Sequence, residues 1–215
     1  VSVLVAPPPI RLDQPLAPLL HERAQATNLH LLTSLTAGRL IGILGGVRDP
    51  VESASAFLDI LGEGPVVVGP VVPHLFAAGR SARAALSGYA AAPARARCPR
   101  PVLADDLLPE RALLADQPAR NTLVSRIYRP LRAASGGTLL ATATAYLEAT
   151  GGVEGTARAL IVHPNTVRYR LRSITQLTGL DLSNPHDGFT ARVALALGRA
   201  ADQPARPFPR ATTPG

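Results

Sequence analysis

The sequence predicts an α+β chain, an N-terminal mixed-sheet α/β sandwich followed by an all-α helix-turn-helix domain. Three observations carry this. Short β-branched runs alternate with Ala/Leu-rich stretches as far as residue 104, and beyond it the apolar spacing is helical only. Residues 1–118 hold ten arginines and ten acids, whereas residues 119–215 hold twelve arginines and five acids, the whole net charge of +7. The basic residues are all arginine, so only the C-terminal part is suited to a polyanion. Finally, Val162–Gly179, VHPNTVRYRLRSITQLTG, divides into two faces at helical spacing.

In chain order, Val1–Ala6 reads as a strand and Leu16–Thr27 as a helix after a Pro-rich turn. Leu29–Leu35 and Arg39–Leu44 read as strands joined by Thr36-Ala37-Gly38, where glycine supplies a positive φ. Val51–Leu61 reads as a helix. Pro65–Val72 is a valine run suited to burial on both sheet faces. His74–Ala91 is a helix and Arg100–Ala104 a last strand, completing β-α-β-β-α-β-α-β.

From Ala115 to Ala134, Leu123, Ile127 and Leu131 recur at helical spacing, and Pro130 is expected to bend or end the helix. Ser135-Gly136-Gly137 is a candidate hinge. Thr138–Thr150 follows with Leu139, Ala143, Tyr146 and Leu147 on one face and Gly151 as its terminator. A short helix from Val153 to Val162 turns Val153, Ala157, Leu160 and Ile161 inward. His163-Pro164 makes a turn into the next helix, 164–178, stopped by Gly179. Asn184-Pro185 opens a last helix with Phe189, Val193, Ala196 and Leu197 inward; the Pro-rich segment 202–215 is expected to be disordered. The expected domains are 1–112, a helical linker 113–136, the helix-turn-helix domain 137–201 and the tail 202–215.

Several function classes are disfavoured. No apolar run reaches the length of a membrane span and no secretory signal pattern precedes the first strand, so a cytoplasmic protein without a membrane partner is expected. The single cysteine, Cys98, excludes an intramolecular disulfide; its basic flanks would lower a thiol pKa, but no His and acid pair is recognisable nearby. The chain has no methionine and opens directly on a strand, which suggests a piece of a longer protein. An alternative is a nucleotide-binding or cyclase-type enzyme with a DNA-binding tail, testable by turnover of labelled GTP or ATP with magnesium. Its nearest loops are GEGPVVVGP (62–70) and LGGVRDP (44–50), and neither has phosphate-loop spacing. A scaffold whose arginines merely solubilise it would not be retained on DNA. No cofactor or metal is expected, and Asp105 and Asp106 read as a solvated turn.

In the helix 164–178, Val167, Leu171, Ile174 and Thr178 fall on one side; Asn165, Arg168, Tyr169, Arg172 and Gln176 fall on the other. A helix lying in a major groove needs this division, an anchored apolar side opposite forked donors for phosphates and base edges. The stretch GVEGTARALIVHPNTVRYRLRSITQLTGLDLSNP, with its HPNTVRYRL core, closely resembles the C-terminal helix-turn-helix of the PucR/CdaR family of bacterial transcription regulators. PVLADDLLPERALLADQPARNTLVSRIYRPL resembles the family's segment between sensor and DNA-binding domain, and residues 1–104 resemble its degenerate GGDEF-like domain. The resemblance implies a DNA-binding regulator. Through an actinobacterial subgroup of similar domain order, it points to fatty-acid biosynthesis genes. Two features depart from the family. The hairpin SLTAGRLIGI lacks the Gly-Gly-Asp carboxylates that a working cyclase uses to hold metal. Gly188 stands where family members carry a polar side chain, and is expected to weaken the last helix by about 1 kcal/mol.

The expected DNA-binding residues are Thr156, His163, Asn165, Thr166, Arg168, Tyr169, Arg170 and Arg172. Asn165 and Thr166 stand in the first helical turn, where free N–H groups favour a phosphate and the Asn amide suits an adenine edge. Arg168 and Arg172 address guanine or phosphate, while Arg170 points nearer the protein, toward a flanking phosphate or an acid. Tyr169 serves either a thymine methyl or phosphate, or packing. His163 reads as a weak cap or a base contact, and Thr156 as a phosphate donor. The expected partners are double-stranded DNA, a second copy of the chain, and a small-molecule effector at the N-terminal domain.

Overall fold

The computed structural model describes residues 1–9, 15–149 and 152–202. Residues 10–14, Thr150, Gly151 and all of the expected 202–215 tail except Asp202 lie outside the described residues. The chain forms two compact units, Val1–Arg120 and a second from Asn121 onward.

The first unit comprises β1 (Ser2–Ala6), α1 (Leu16–Ala26), β2 (His30–Thr36), β3 (Arg39–Gly45), α2 (Pro50–Ser55), β4 (Val67–Val68), α3 (Ala78–Ala91), β5 (Val102–Leu103) and α4 (Leu108–Leu113). The five-stranded sheet has the order β2-β3-β1-β4-β5. β1 runs antiparallel to both neighbours and β4 parallel to β5, so the sheet is mixed as expected. Strand β1 is central and wholly buried, and its alternating side chains feed two cores. Leu4 and Ala6 pack with Leu20 and Ala24 of α1 and with Ala54 and Phe57. Val3 and Val5 pack against Ala78 and Ala85 of α3. At the β2–β3 turn, Ala37 and Gly38 both take positive φ (51° and 70°), a type I′ hairpin matching the twist of its strands.

Three expected elements are shorter than their apolar runs. The helix expected over 51–61 ends at Ser55, because Phe57, Leu58 and Ile60 switch to bonds three residues back. That tightening seats Phe57, Ile60 and Leu61 in the core. The 65–72 run keeps only Val67–Val68 in the ladder, since prolines at 65, 70 and 73 carry no N–H. The α3 hydroxyl of Ser81 accepts the Val3 N–H at 2.9 Å, taking a donor on β1. The last strand is likewise confined to Val102–Leu103, behind Pro99 and Pro101.

A buried ion pair closes the first unit. Arg111 donates to Asp116 at 2.9 Å and to the Ala104 carbonyl at 2.9 Å, while Ser87 of α3 donates to Asp116 at 2.6 Å. Burial alone would raise the Asp116 pKa, but the bonds from Ser87 and Arg111 outweigh it and hold the carboxyl below its ordinary value. Residues 113–120, expected to be the start of the linker, thus belong to this unit.

The second unit takes in α5 (Gln117–Leu123) from Asn121, a π-helical turn Val124–Tyr128, α6 (Arg129–Ala133), α7 (Thr138–Glu148), α8 (Gly152–Leu160), α9 (Pro164–Thr178) and α10 (Pro185–Asp202). Pro130 does not end its helix. The widened π turn ahead of it accommodates the missing N–H, and α6 continues past it. Leu123, Ile127 and Leu131 are buried, as their spacing predicts. Ser135, Gly136 and Gly137 all take positive φ and break the chain between α6 and α7. On α7, Leu139, Ala143 and Leu147 are buried and Tyr146 is half-buried.

Helix α10 begins as expected, with Asn184 accepting from the His186 N–H at 2.9 Å, but its inward face differs. Gly188, Thr190, Ala191, Ala194, Leu195 and Gly198 are buried; Phe189, Val193 and Leu197 are half-buried and Ala196 is exposed. Close approach explains this. A Cβ on Gly198 would stand 2.0 Å from the Tyr128 ring, whose hydroxyl donates to Asp202. Small residues, and not bulky ones, mark the side that docks. Gly188 belongs to the same fit: a Cβ there would meet the Leu182 carbonyl at 3.3 Å, so glycine is more than a weak point.

Two outcomes follow from this packing. Gly198→Ala overpacks the Tyr128 contact and lowers stability by about 1–3 kcal/mol, read as a urea midpoint shift. The stabilisation from Asp116 is present above the unfolded carboxylate pKa of about 3.9 and is lost as pH falls through the lower folded value. Acid titration of stability should therefore be steeper in the wild type than in Asp116→Asn below about pH 4.

Candidate nucleic-acid interface

Helices α8 and α9 are joined by Ile161, Val162 and His163. His163 caps α9, its Nδ1 accepting the Asn165 N–H at 3.2 Å, and Pro164 occupies the first turn. Gly179 ends the helix in the left-handed region, its N–H donating to the Thr175 carbonyl at 2.8 Å. The helix therefore has the 164–178 bounds that the sequence predicts.

Its two faces also separate as the spacing requires. Val167 and Ile174 are completely buried, and Leu171 and Thr178 half-buried. Asn165, Arg168, Tyr169, Arg172 and Gln176 are exposed, Tyr169 at 69%. The Arg168 guanidinium is held at two points, by the Asn165 side chain and by Glu154 of α8, each at 3.0 Å. Arg172 has no hydrogen-bond or ion-pair partner among the described residues. The exposed face thus offers one braced and one free guanidinium, two amides and a phenol.

Other expected site residues are placed differently. Thr156 is fully buried and donates to the Gly152 carbonyl at 2.7 Å, so its hydroxyl is out of reach of a phosphate. Arg170 is half-buried, nearer the protein as expected, but it meets no acid among the described residues and donates to the Thr142 hydroxyl at 3.4 Å. The first-turn N–H groups are not free either. Asn165 N–H is capped by His163, and Thr166 N–H donates to the His163 carbonyl at 2.9 Å. Any contact from this turn falls to the Asn165 amide and the half-buried Thr166 side chain. Ile161, expected inward, is 92% exposed with φ 55°; Ala157 is buried, and Val153 and Leu160 are half-buried.

Two residues were missed by sequence reasoning. Glu154 braces Arg168 from 14 residues away, a separation that no helical period marks. Arg158, one turn beyond Glu154, is exposed in the last turn of α8, and that helical spacing could have flagged it.

The loops considered for nucleotide binding have structural work. Asp49 accepts the N–H groups of Val51 and Glu52 (2.8 and 2.9 Å), and Gly62 N–H donates to the Pro7 carbonyl at 3.0 Å. Asp105 lies 3.8 Å from Arg111. Cys98 is half-buried and its burial raises the thiol pKa, against the lowering expected from its arginine neighbours. An open cleft of about 750 Å³ in the first unit is lined by Thr27, Asn28, Arg48, Glu52 and Ser53.

Residues 139–197 match the family model described as the PucR C-terminal helix-turn-helix domain. An uncharacterised protein of Mycobacterium tuberculosis is 44% identical over 180 residues, covering 83% of this chain and 42% of the relative. The chain therefore spans less than half the length of that relative. The carbohydrate diacid regulator of Escherichia coli is 52% identical over 42 residues, 20% of this chain and 11% of that protein. The crystal structure of a regulator of polyketide synthase expression from Bifidobacterium adolescentis superposes with a TM-score of 0.80 at 31% identity, covering 94% of this chain and 80% of that one.

The turn before α9 is strained, since a β-branched residue at positive φ crowds its own backbone. Asparagine tolerates that conformation, and the isoleucine side chain there is almost wholly in water. Ile161→Asn should therefore stabilise the second unit by about 1 kcal/mol, read as a raised thermal midpoint.

Proposed function

The chain belongs to the PucR/CdaR family of regulators with a C-terminal helix-turn-helix, and from that premise we propose a sequence-specific, promoter-binding transcriptional regulator. One observation carries the proposal: α9 buries Val167 and Ile174 while holding Arg168 and Arg172 outward. A helix fixed in this way can enter a major groove with forked donors leading. The kinship is with regulators and not with catalytic enzymes, which sets aside the cyclase alternative.

In the complex, Arg172 reads a guanine or grips a phosphate, and Arg168, braced by Glu154, offers a second guanidinium in a preset direction. Asn165 addresses an adenine edge, Tyr169 a thymine methyl or a phosphate, and Thr166 and Arg170 flank the groove. His163 acts by capping the helix that carries them. A single recognition helix reads only a few base pairs, so two copies acting on a palindrome supply the affinity an operator needs.

The first unit is read as a degenerate GGDEF-like sensor domain whose central hairpin has lost its carboxylates, with the open cleft near Arg48 as the place for an effector. The regulated genes are proposed to serve fatty-acid biosynthesis. In support, the similar Bifidobacterium protein is described as a regulator of polyketide synthase expression, and both synthases build carbon chains by the same condensations. A cytoplasmic location fits a DNA-binding role, and no described helix is long and apolar enough to cross a membrane.

Fluorescence titration of a selected operator tests the proposal. Arg172→Ala should cost about 1–3 kcal/mol of specific binding if the residue reads a base, with non-specific affinity little changed. A phosphate role would instead weaken all duplexes alike and reduce the salt slope by about one. Unchanged affinity and unchanged slope would remove Arg172, and the face it defines, from the interface.

A further inference from the structure

Strand β2 is the open edge of the first sheet, and it lacks the usual devices that keep an edge unpaired. His30–Thr36, HLLTSLT, contains no proline and no Asp, Glu, Lys or Arg, and it pairs with β3 residue for residue without a bulge. Leu32 and Leu35 are 60% and 61% exposed. The opposite edge is different: β5 is two residues long behind two prolines and offers almost nothing to a new strand.

The hairpin fixes which backbone groups are free. A two-residue I′ turn closes on a hydrogen-bonded pair, here Thr36 with Arg39, and bonded pairs then recur at every second position. Ser34, Leu32 and His30 therefore direct their N–H and C=O toward β3. Those of Leu31, Thr33 and Leu35 point outward, with no partner among the described residues.

We propose that β2 pairs antiparallel with β2 of a second copy of this chain about a two-fold axis at Thr33, joining the two sheets into one. The inference rests on the dimer proposed above and names its surface. The free groups are self-complementary in this register: Thr33 faces Thr33 of the second copy, and Leu31 faces its Leu35. Leu31 is buried under α1, so the exposed Leu35 of each copy gains an apolar neighbour on the same sheet face. Because β2 carries no Asp, Glu, Lys or Arg, the strand does not repel a second copy of itself. The two-fold closes the assembly, and the proline-guarded β5 edge stops further growth.

Sedimentation of the 215-residue chain without DNA tests the pairing separately from the regulator proposal. Wild type should run at twice the chain mass. Thr33→Pro removes a donor directed away from β3, so it should run at the single-chain mass with its thermal midpoint little changed. Should that variant unfold, Leu35→Glu, at an exposed position, serves in its place and should likewise be monomeric. In a Cys98→Ser background, Thr33→Cys should form an oxidised dimer, whereas Ser34→Cys should not. A wild-type chain at single mass, a dimer that survives both Thr33→Pro and Leu35→Glu, or a Thr33→Cys chain that dimerises without cross-linking would each overturn the pairing. A β2-dependent dimer that ignores every duplex would overturn the DNA proposal and leave this one standing.

Discussion

Everything the C-terminal unit does depends on the burial of Val167 and Ile174. With both side chains completely enclosed, α9 has one rotation about its axis, and the opposite residues are presented to solvent by geometry alone. The ends of the helix are set independently, by the His163 cap at one and left-handed Gly179 at the other. A one-residue slip would expose an apolar side chain and bury a guanidinium, and both changes are costly. Rotation and length are thus specified by different residues.

The exposed face is preorganised unevenly. Arg168 is fixed between Asn165 and Glu154, which reduces the rotamer freedom a contact would otherwise remove. Glu154 also offsets part of the positive charge at the surface, so the proposed contact with a phosphate would require the bond to rearrange or be shared. Arg172 carries no such restraint. In the proposed contact one arginine would supply direction and the other reach, on a unit that carries nearly all the net positive charge of the chain.

Long-period features were legible in the sequence and close contacts were not. Helix α9 was readable because large apolar and large cationic residues alternate at helical spacing over 15 residues. The β2–β3 hairpin was readable because Thr36-Ala37-Gly38 sets a glycine between apolar runs, although Thr36 proves to be the last residue of β2. The inward face of α10 was misread because Ala191, Ala194 and Gly198 look weakly apolar, yet smallness is what Tyr128 requires. Pro130 was expected to bend or end its helix; it does not end it, and no propensity rule reveals the π turn that absorbs it. At the site, the local cap by His163 was readable, whereas burial removed Thr156, a consequence of packing that side-chain chemistry does not announce. Glu154 lay hidden for the same reason, since it meets Arg168 only when two helices cross.

Selection from a random duplex pool is the most direct test of the central claim, that the anchored α9 presents a sequence-reading face. The wild-type chain should enrich a short motif, and a chain with Arg168 and Arg172 both replaced by alanine should lose that enrichment while keeping its fold by circular dichroism. Enrichment of the same motif by both chains would contradict the account, because some other surface would then be reading the DNA.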